Sequence, residues 1–178
     1  TPDFQSKTIR QLFLENLHFF FFFYTTPDQL KSLCDTHQIP LPADCSWDDL
    51  FFFLFLEKIE KQISNQPLFV TEYPPSQAAL ARLTESGWAD RFEFYWQGLE
   101  IANAFCELND PKTQRLRLSE DIEKKKASGR PGVPIDEDFL YHLEFGMPPS
   151  SGIALGLDRL FMALFQIRDI RDFKLFPY

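Results

Sequence analysis

Ile9, Leu12, Phe13 and Leu17 recur at intervals of three and four, the spacing of one face of an α-helix. Thr26-Pro27-Asp28-Gln29 then supplies an N-cap, a proline at the first helical position and a capping-box glutamine ahead of Leu30, Leu33, Cys34 and His37. Pro40 and Pro42 end that helix. Ser46-Trp47-Asp48-Asp49 opens another, apolar on nearly every side through Leu56 and charged from Glu57 to Lys61. Residues 1–66 are therefore expected to be a helical segment.

Past Pro67 the texture changes. Short β-type runs occur at Leu68 to Glu72, Arg91 to Trp96, Leu99 to Leu108 and Gly152 to Leu157. Helices are expected between them: Ser76 to Ser86 ending at Gly87, a charged one from Asp110-Pro111 to near Gly129, one capped by Asp136 and ending at Gly146, and a last one from Asp158 to Phe165. Strands mixed irregularly with helices, a tight hairpin among them, predict an α+β fold with an antiparallel sheet and flanking helices. No repeat or linker divides the chain, so 1–178 reads as one domain with its sheet core in 67–178.

Composition narrows the class. With 44% hydrophobic and 25% charged residues and a mean hydropathy of -0.24, the chain is neither a disordered nor a membrane sequence. Most of the excess among its 21 phenylalanines sits in Phe19 to Phe23 and Phe51 to Phe53. Both runs are far shorter than the roughly 20 residues of a membrane span and are expected to form buried helix or aggregation-prone strand. No basic-then-apolar signal precedes them, and the start at Thr1 without a methionine reads as a fragment. Cys34, Cys45 and Cys106 have neither disulfide-framework nor metal-ligand spacing, which fits a reducing cytoplasm. A net charge of -8 argues against a nucleic-acid-binding body. The one basic cluster, Lys124-Lys125-Lys126 with Arg130, reads as a solvated helix end favoured by the helix dipole.

Chemistry concentrates in two places. Arg91-Phe-Glu-Phe-Tyr-Trp96 and Leu99-Glu-Ile-Ala-Asn-Ala-Phe-Cys-Glu-Leu108 form a hairpin turning at Gln97-Gly98. A two-residue loop sets Trp96 against Leu99, Tyr95 against Glu100 and Glu93 against Ala102, with Glu93 diagonal to Glu100 on one face. Two carboxylates there are either a Mg²⁺ site bridging to ATP phosphates or solvent-facing glutamates of an amphipathic hairpin. Strict alternation puts Asn103, Phe105 and Glu107 on the opposite face, and a β-bulge near Ile101-Ala102 would reunite them. The result would be a carboxylate for an ammonium group, an amide for a polar head and an aromatic wall. The second place is Ser150-Ser-Gly-Ile-Ala-Leu-Gly-Leu-Asp-Arg159, a small-residue strand running into an apolar helix. It is no Walker loop, but Arg159 in the first helical turn opposes the dipole and points to an anionic ligand.

In this order the pieces resemble class II aminoacyl-tRNA synthetases of the lysine type over roughly residues 67–178. The resemblance rests on Arg91-Phe-Glu-Phe, Glu100-Ile-Ala-Asn-Ala-Phe-Cys-Glu-Leu-Asn-Asp110, Gly146-Met-Pro-Pro and the third class II motif, Gly152 to Arg159. It implies that Glu93 and Glu100 hold Mg²⁺ and ATP, that Ile101 lines the nucleotide, that Gly156 makes room for adenine and that Arg159 clamps the γ-phosphate. Glu100 and Arg159 would be the catalytic residues. Asn103, Phe105, Glu107, Gly152 and Ala154 would form the pocket for lysine or a lysine-like substrate, with Glu107 reading its ammonium group. The implied chemistry is carboxylate attack on the α-phosphate of ATP, then acyl transfer to an amine or hydroxyl, in a cytoplasmic homodimer.

Two subfamilies fit. Lysyl-tRNA synthetases, which charge tRNA-Lys, typically carry Gly where this chain has Ala154. The lysyltransferases that modify elongation factor P resemble its Gly-x-Ala-x-Gly-x-Asp-Arg, its Pro74 to Leu80 and its Gly129 to Asp136. A methyl at Ala154 would reshape the pocket toward β-lysine. Leu108-Asn109-Asp110 and Leu175-Phe176-Pro177 suit the tRNA synthetase equally. A synthetase-like binding module without catalysis is the third reading. Arg91-Phe-Glu93 is superficially similar to motif 2 but belongs to the later hairpin, so motifs 1 and 2, with the α-phosphate arginine, are expected upstream of Thr1. That leaves open whether the isolated chain is active.

Overall fold

The structure, a computed structural model, describes residues 3–63, 65–127, 129, 131–174 and 176. Arg130, Leu175 and Pro177 of the segments above lie outside the described residues. Five strands form one sheet in the order β1 (Gln5–Thr8), β2 (Leu68–Tyr73), β3 (Ala89–Trp96), β4 (Leu99–Cys106), β5 (Ser151–Leu155). All neighbours are antiparallel except β1 and β2. A parallel pair needs a long crossover, and here it runs through α1 (Ile9–Leu17), α2 (Pro27–Thr36) and α3 (Trp47–Leu54). Helices α4 (Pro111–Ala127), α5 (Glu137–Glu144) and α6 (Leu157–Phe165) complete the α+β fold.

The caps predicted at Thr26 and Ser46 are present, and Thr8 supplies one that the sequence reading did not include. Thr8, Thr26 and Ser46 each accept from a backbone N–H three residues on, and Gln11, Gln29 and Asp49 return the bond. The predicted apolar positions Ile9, Leu12, Phe13, Leu17, Leu30, Leu33 and Cys34 are buried. They pack with Leu50, Phe51 and Leu54 of α3 onto Leu68, Val70, Tyr73 and Tyr95 of the sheet. The three helices thus cover one face of the sheet from β1 as far as Tyr95. The Lys124–Lys126 cluster ends α4, with Lys124 on Asp48 (3.5 Å) and Lys126 on Glu123 (2.8 Å), a solvated helix end.

Three expectations need correction. Residues 1–66 are not purely helical, because Gln5–Thr8 adds a strand to the sheet before Thr8 caps α1. Ser76 to Ser86 forms no α-helix: a single 3₁₀ turn spans Pro75–Gln77. The backbone beyond it bonds elsewhere, with Arg82 N–H on the Cys106 carbonyl, Leu108 N–H on Leu80, and the Ala79 and Ala81 carbonyls accepting from Arg117. Those groups are lost to a helix ladder. Finally, Phe19 to Phe23 is neither helix nor strand. His18 closes α1 in the left-handed conformation, and a turn at Phe22 to Thr25 follows.

Phe21 is the buried member of that run, its ring 4.3 Å from Phe13 and 5.7 Å from Phe51; Phe19 packs against the core partly buried, while Phe20 is 71% exposed. Phe21→Ala should therefore cost about 3–5 kcal/mol and Phe20→Ala within about 0.5 kcal/mol of nothing, read from urea unfolding midpoints.

Candidate active site on the β3–β4–β5 face

The hairpin turns at Gln97 (φ 54°) and Gly98 (φ 72°), both left-handed as a two-residue loop requires, with Trp96 opposite Leu99 and Tyr95 opposite Glu100. Beyond Tyr95 the register slips. Phe94 lies opposite Ala102, Glu93 opposite Asn103 and Arg91 opposite Phe105, so Ile101 is the extra residue of a bulge. Glu93 thus faces Asn103 rather than Ala102. Opposed antiparallel residues share a face, so the slip gathers Arg91, Glu93, Tyr95, Glu100, Asn103 and Phe105 on one side. Strand β5 adds Ala154 opposite Asn103 and Gly152 opposite Phe105. The bulge is held from α6 and its N-terminus: Gly156 N–H donates to the Ile101 carbonyl (2.9 Å), and Arg159 Nη1 to the Glu100 carbonyl (2.9 Å).

Two carboxylates on this face live in different surroundings. Glu93 is mostly buried, with the Arg91 guanidinium on Oε1 and two phenols on Oε2, Tyr73 at 2.6 Å and Tyr95 at 2.8 Å. Burial, then the Glu93 charge, drives both phenols far above their ordinary titration range, so each stays a donor. Glu100 is half-buried, and its Oε2 accepts from Arg159 at 3.2 Å. Glu60 stands beside Tyr95, delivered by a π-helical turn (Phe55–Ile59) and a 3₁₀ turn (Glu60–Gln62) that continue α3. Burial first, opposed by the Tyr95 hydroxyl, raises its carboxyl above the usual range, and the Glu93 and Glu100 charges add to the rise.

An open cavity of about 640 Å³ is lined by Glu100, Ile101, Asn103, Ala154, Gly156 and Arg159, among others. Glu93 is not among its lining residues. It lies in the next row of the same face. Phe105 stacks near Arg91, guanidinium carbon to ring centre 5.2 Å. Glu107 folds over Gly152 so closely that a Cβ at Gly152 would sit 2.4 Å from its Oε1. At Gly156, by contrast, a Cβ would meet only ordinary contacts, Ile101 O at 3.5 Å and Arg159 at 3.7 Å. The fold itself does not demand a bare backbone there.

The donor set suits a hard cation that keeps its own shell. Among the described residues no three His, Cys, Asp or Glu side chains are arranged to hold a metal by themselves. Mg²⁺ is commonly bound by one or two carboxylates with phosphate oxygens and water. Glu100 keeps Oε1 free of Arg159, and Glu93, with three donors on about four lone-pair sites, keeps one.

Four residues of the network escaped the sequence reading as site members: Arg91, Tyr73, Tyr95 and Glu60. For Arg91 and Tyr95 a signal existed, because they alternate with Glu93 on the inner face of β3. Tyr73 and Glu60 arrive from β2 and the helical layer, and no local pattern joins them to the hairpin.

Residues 9–178 match the family of class II tRNA synthetases (D, K and N). Lysine–tRNA ligases of Xylella fastidiosa strain M12 and of Xanthomonas oryzae pv. oryzae are each 38% identical over 156 residues, covering 86% of this chain and 31% of the relative. One from Coxiella burnetii strain Dugway 5J108-111 is 38% identical over 160 residues, 85% of this chain and 32% of its own. The chain thus spans about a third of the length of these relatives. With the family matched across nearly all of its length, the chain belongs to the class II tRNA synthetases of the D, K and N group.

Proposed function

We propose that this chain carries the nucleotide and amino-acid site of an ATP- and Mg²⁺-dependent ligase that activates lysine or β-lysine and passes it to a lysine side chain of elongation factor P. The supporting observation is one cavity in which Glu100 and Arg159 stand beside Asn103 and Ala154, with Glu107 and Phe105 further along the same face. Arg159 is 54% exposed and its pair with Glu100 is a surface pair, worth about 0–1 kcal/mol. A triphosphate can take the guanidinium from Glu100 at little cost. Glu107 offers an acceptor to the substrate ammonium, and Asn103 fixes the polar head.

The reaction forms a bond between a substrate carboxylate oxygen and the α-phosphorus of ATP while the bond to the β-phosphate bridging oxygen breaks and pyrophosphate leaves. Arg159 holds phosphate charge through that step. Mg²⁺, held by Glu100 and Glu93, would neutralise phosphate oxygens as the leaving group forms. The acceptor amine then attacks the acyl carbon and AMP departs. A homodimer in the cytoplasm belongs to the same proposal.

Ala154, whose methyl lies on the site face opposite Asn103, favours elongation factor P modification over lysyl-tRNA synthesis. The alternative, charging of tRNA-Lys, is favoured by the lysine–tRNA ligase relatives. ATP–pyrophosphate exchange by the full-length protein with α-lysine and β-lysine, followed by transfer to elongation factor P or tRNA-Lys, separates them. Exchange with α-lysine alone and charging of tRNA would overturn the first choice. No exchange with either substrate would leave a binding module.

In that assay Glu100→Ala should lower exchange at least about 100-fold, a loss typical of a group that stabilises transition-state charge. Glu107→Ala should chiefly raise the lysine KM, about 10- to 100-fold for a lost charged hydrogen bond. Equal loss of ATP affinity in both variants contradicts the division of roles. The two glycines should also part: Gly156→Ala should leave the melting temperature unchanged and raise the ATP KM, whereas Gly152→Ala should displace Glu107 and raise the lysine KM alone.

A further inference from the structure

We infer that Tyr73 and Tyr95 are positioning residues that set which divalent cation the nucleotide site accepts. Their hydroxyls fill one oxygen of Glu93, so Glu93 has a single acceptor position to offer, and the site favours a small cation such as Mg²⁺ over a larger one such as Ca²⁺. The inference rests on the nucleotide- and cation-binding reading above and adds what decides between cations.

A carboxylate has two oxygens with about four lone-pair positions between them. At Glu93 three are taken. Tyr73 donates to Oε2 at 2.6 Å and Tyr95 donates to the same oxygen at 2.8 Å, which fills it, while the Arg91 guanidinium occupies one position on Oε1. One position on Oε1 remains. Neither phenol is free to leave: Tyr73 is 3% exposed and Tyr95 2%, both rings belong to the core under α1 to α3, and the Tyr73 ring packs against Phe55 at 6.3 Å. A hydroxyl displaced from Glu93 at that depth would be stranded without a partner. Burial also keeps both protonated, so neither becomes an acceptor in its own right. Their action on a bound cation therefore passes through Glu93.

The two common hard cations ask different things of a carboxylate. Mg²⁺ takes ligands at about 2.0–2.1 Å and is held by one or two carboxylates, with phosphate oxygens and water completing its shell. Ca²⁺ takes about six to eight oxygens at about 2.3–2.6 Å and uses carboxylates that present both oxygens. Glu100 suits either, because its Oε1 is free of Arg159 and its Oε2 is shared with an arginine that is 54% exposed. Discrimination thus falls to Glu93, whose second oxygen becomes available only by stripping a buried phenol from it.

The test titrates the full-length protein calorimetrically with a non-hydrolysable ATP analogue, once in saturating Mg²⁺ and once in saturating Ca²⁺. The wild type should bind the analogue about tenfold or more tightly with Mg²⁺, the factor that corresponds to roughly one hydrogen bond to a charged group. Tyr73→Phe keeps the ring and removes one donor from Oε2, so affinity in Ca²⁺ should rise and most of the preference should vanish. Tyr95→Phe should do the same, and if one of the two does not fold the other decides. Phe55→Leu disturbs the packing of the Tyr73 ring but keeps both hydroxyls. It should lower the melting temperature and leave the cation preference as it was, which a merely structural role for the tyrosines does not predict. A preference unchanged in the tyrosine variants, or lost equally in Phe55→Leu, overturns the inference and leaves the proposed function standing, as does a wild type that accepts both cations alike. A wild type that binds the analogue with neither cation overturns both.

Discussion

One extra residue in β4 organises the site. Without the bulge at Ile101, period-two alternation would place Glu100 on one face of the sheet and Asn103, Phe105 and Glu107 on the other. With it, groups suited to phosphate charge and groups suited to an amino acid share a surface. At the bulge two carbonyls are met from the side of β5 and α6: the Ile101 carbonyl accepts from the Gly156 N–H, which continues the β4–β5 pairing, and the Glu100 carbonyl accepts from Arg159. The start of α6 therefore does two jobs at once. It locks the register that gathers the site and supplies the exposed guanidinium that lines the cavity.

The two arginines of this face show how burial divides labour. Arg91 and Glu93 are mostly buried and bound to phenols, an amide and a carbonyl. Breaking such a pair by removing one member is costly, on the order of 3–5 kcal/mol, because the other charge is stranded. Arg159 and Glu100 meet across 3.2 Å at the cavity, half in water, where a pair contributes little and exchanges partners readily. The first pair is scaffold and the second is available to ligand. The distinction is drawn by solvent exposure, since the residue types are identical.

Much of this was legible in the chain. The capping boxes at Thr26 and Ser46, the helical spacing of Ile9 to Leu17 and the turn at Gln97-Gly98 are local signals, and the structure has each of them. The bulge enters the sequence argument only as a condition for one shared face. The groups that brace it, Gly156 and Arg159, are more than fifty residues away, beyond the reach of any local pattern. Ser76 to Ser86 has helical composition, yet its backbone groups find better partners in β4 and Arg117, a tertiary competition invisible to propensity. The phenylalanine run misled for the reverse reason. Five identical side chains carry no period, so nothing in the sequence could say that only Phe21 would be fully buried.

Tyr73 and Tyr95 link the hydrophobic core to the site. Both are members of the core, packed under α1 to α3, and both end in a hydroxyl on Glu93. Their rings answer to the packing of Phe55 and its neighbours, and their oxygens to a carboxylate that in turn positions Arg91. The π-helical turn after α3 extends the same coupling, since it carries Glu60 to Tyr95 from a helix otherwise committed to the core. Core and site are thus one connected network, and its rigidity follows from physical chemistry: each side chain in the path from Tyr95 through Glu93 and Arg91 to Asn103 is held by a neighbour that is itself held. A site assembled this way meets its ligands with donors and acceptors already aimed. The few groups left free to move, Arg159 foremost, are those at the open cavity, where a phosphate would need them to.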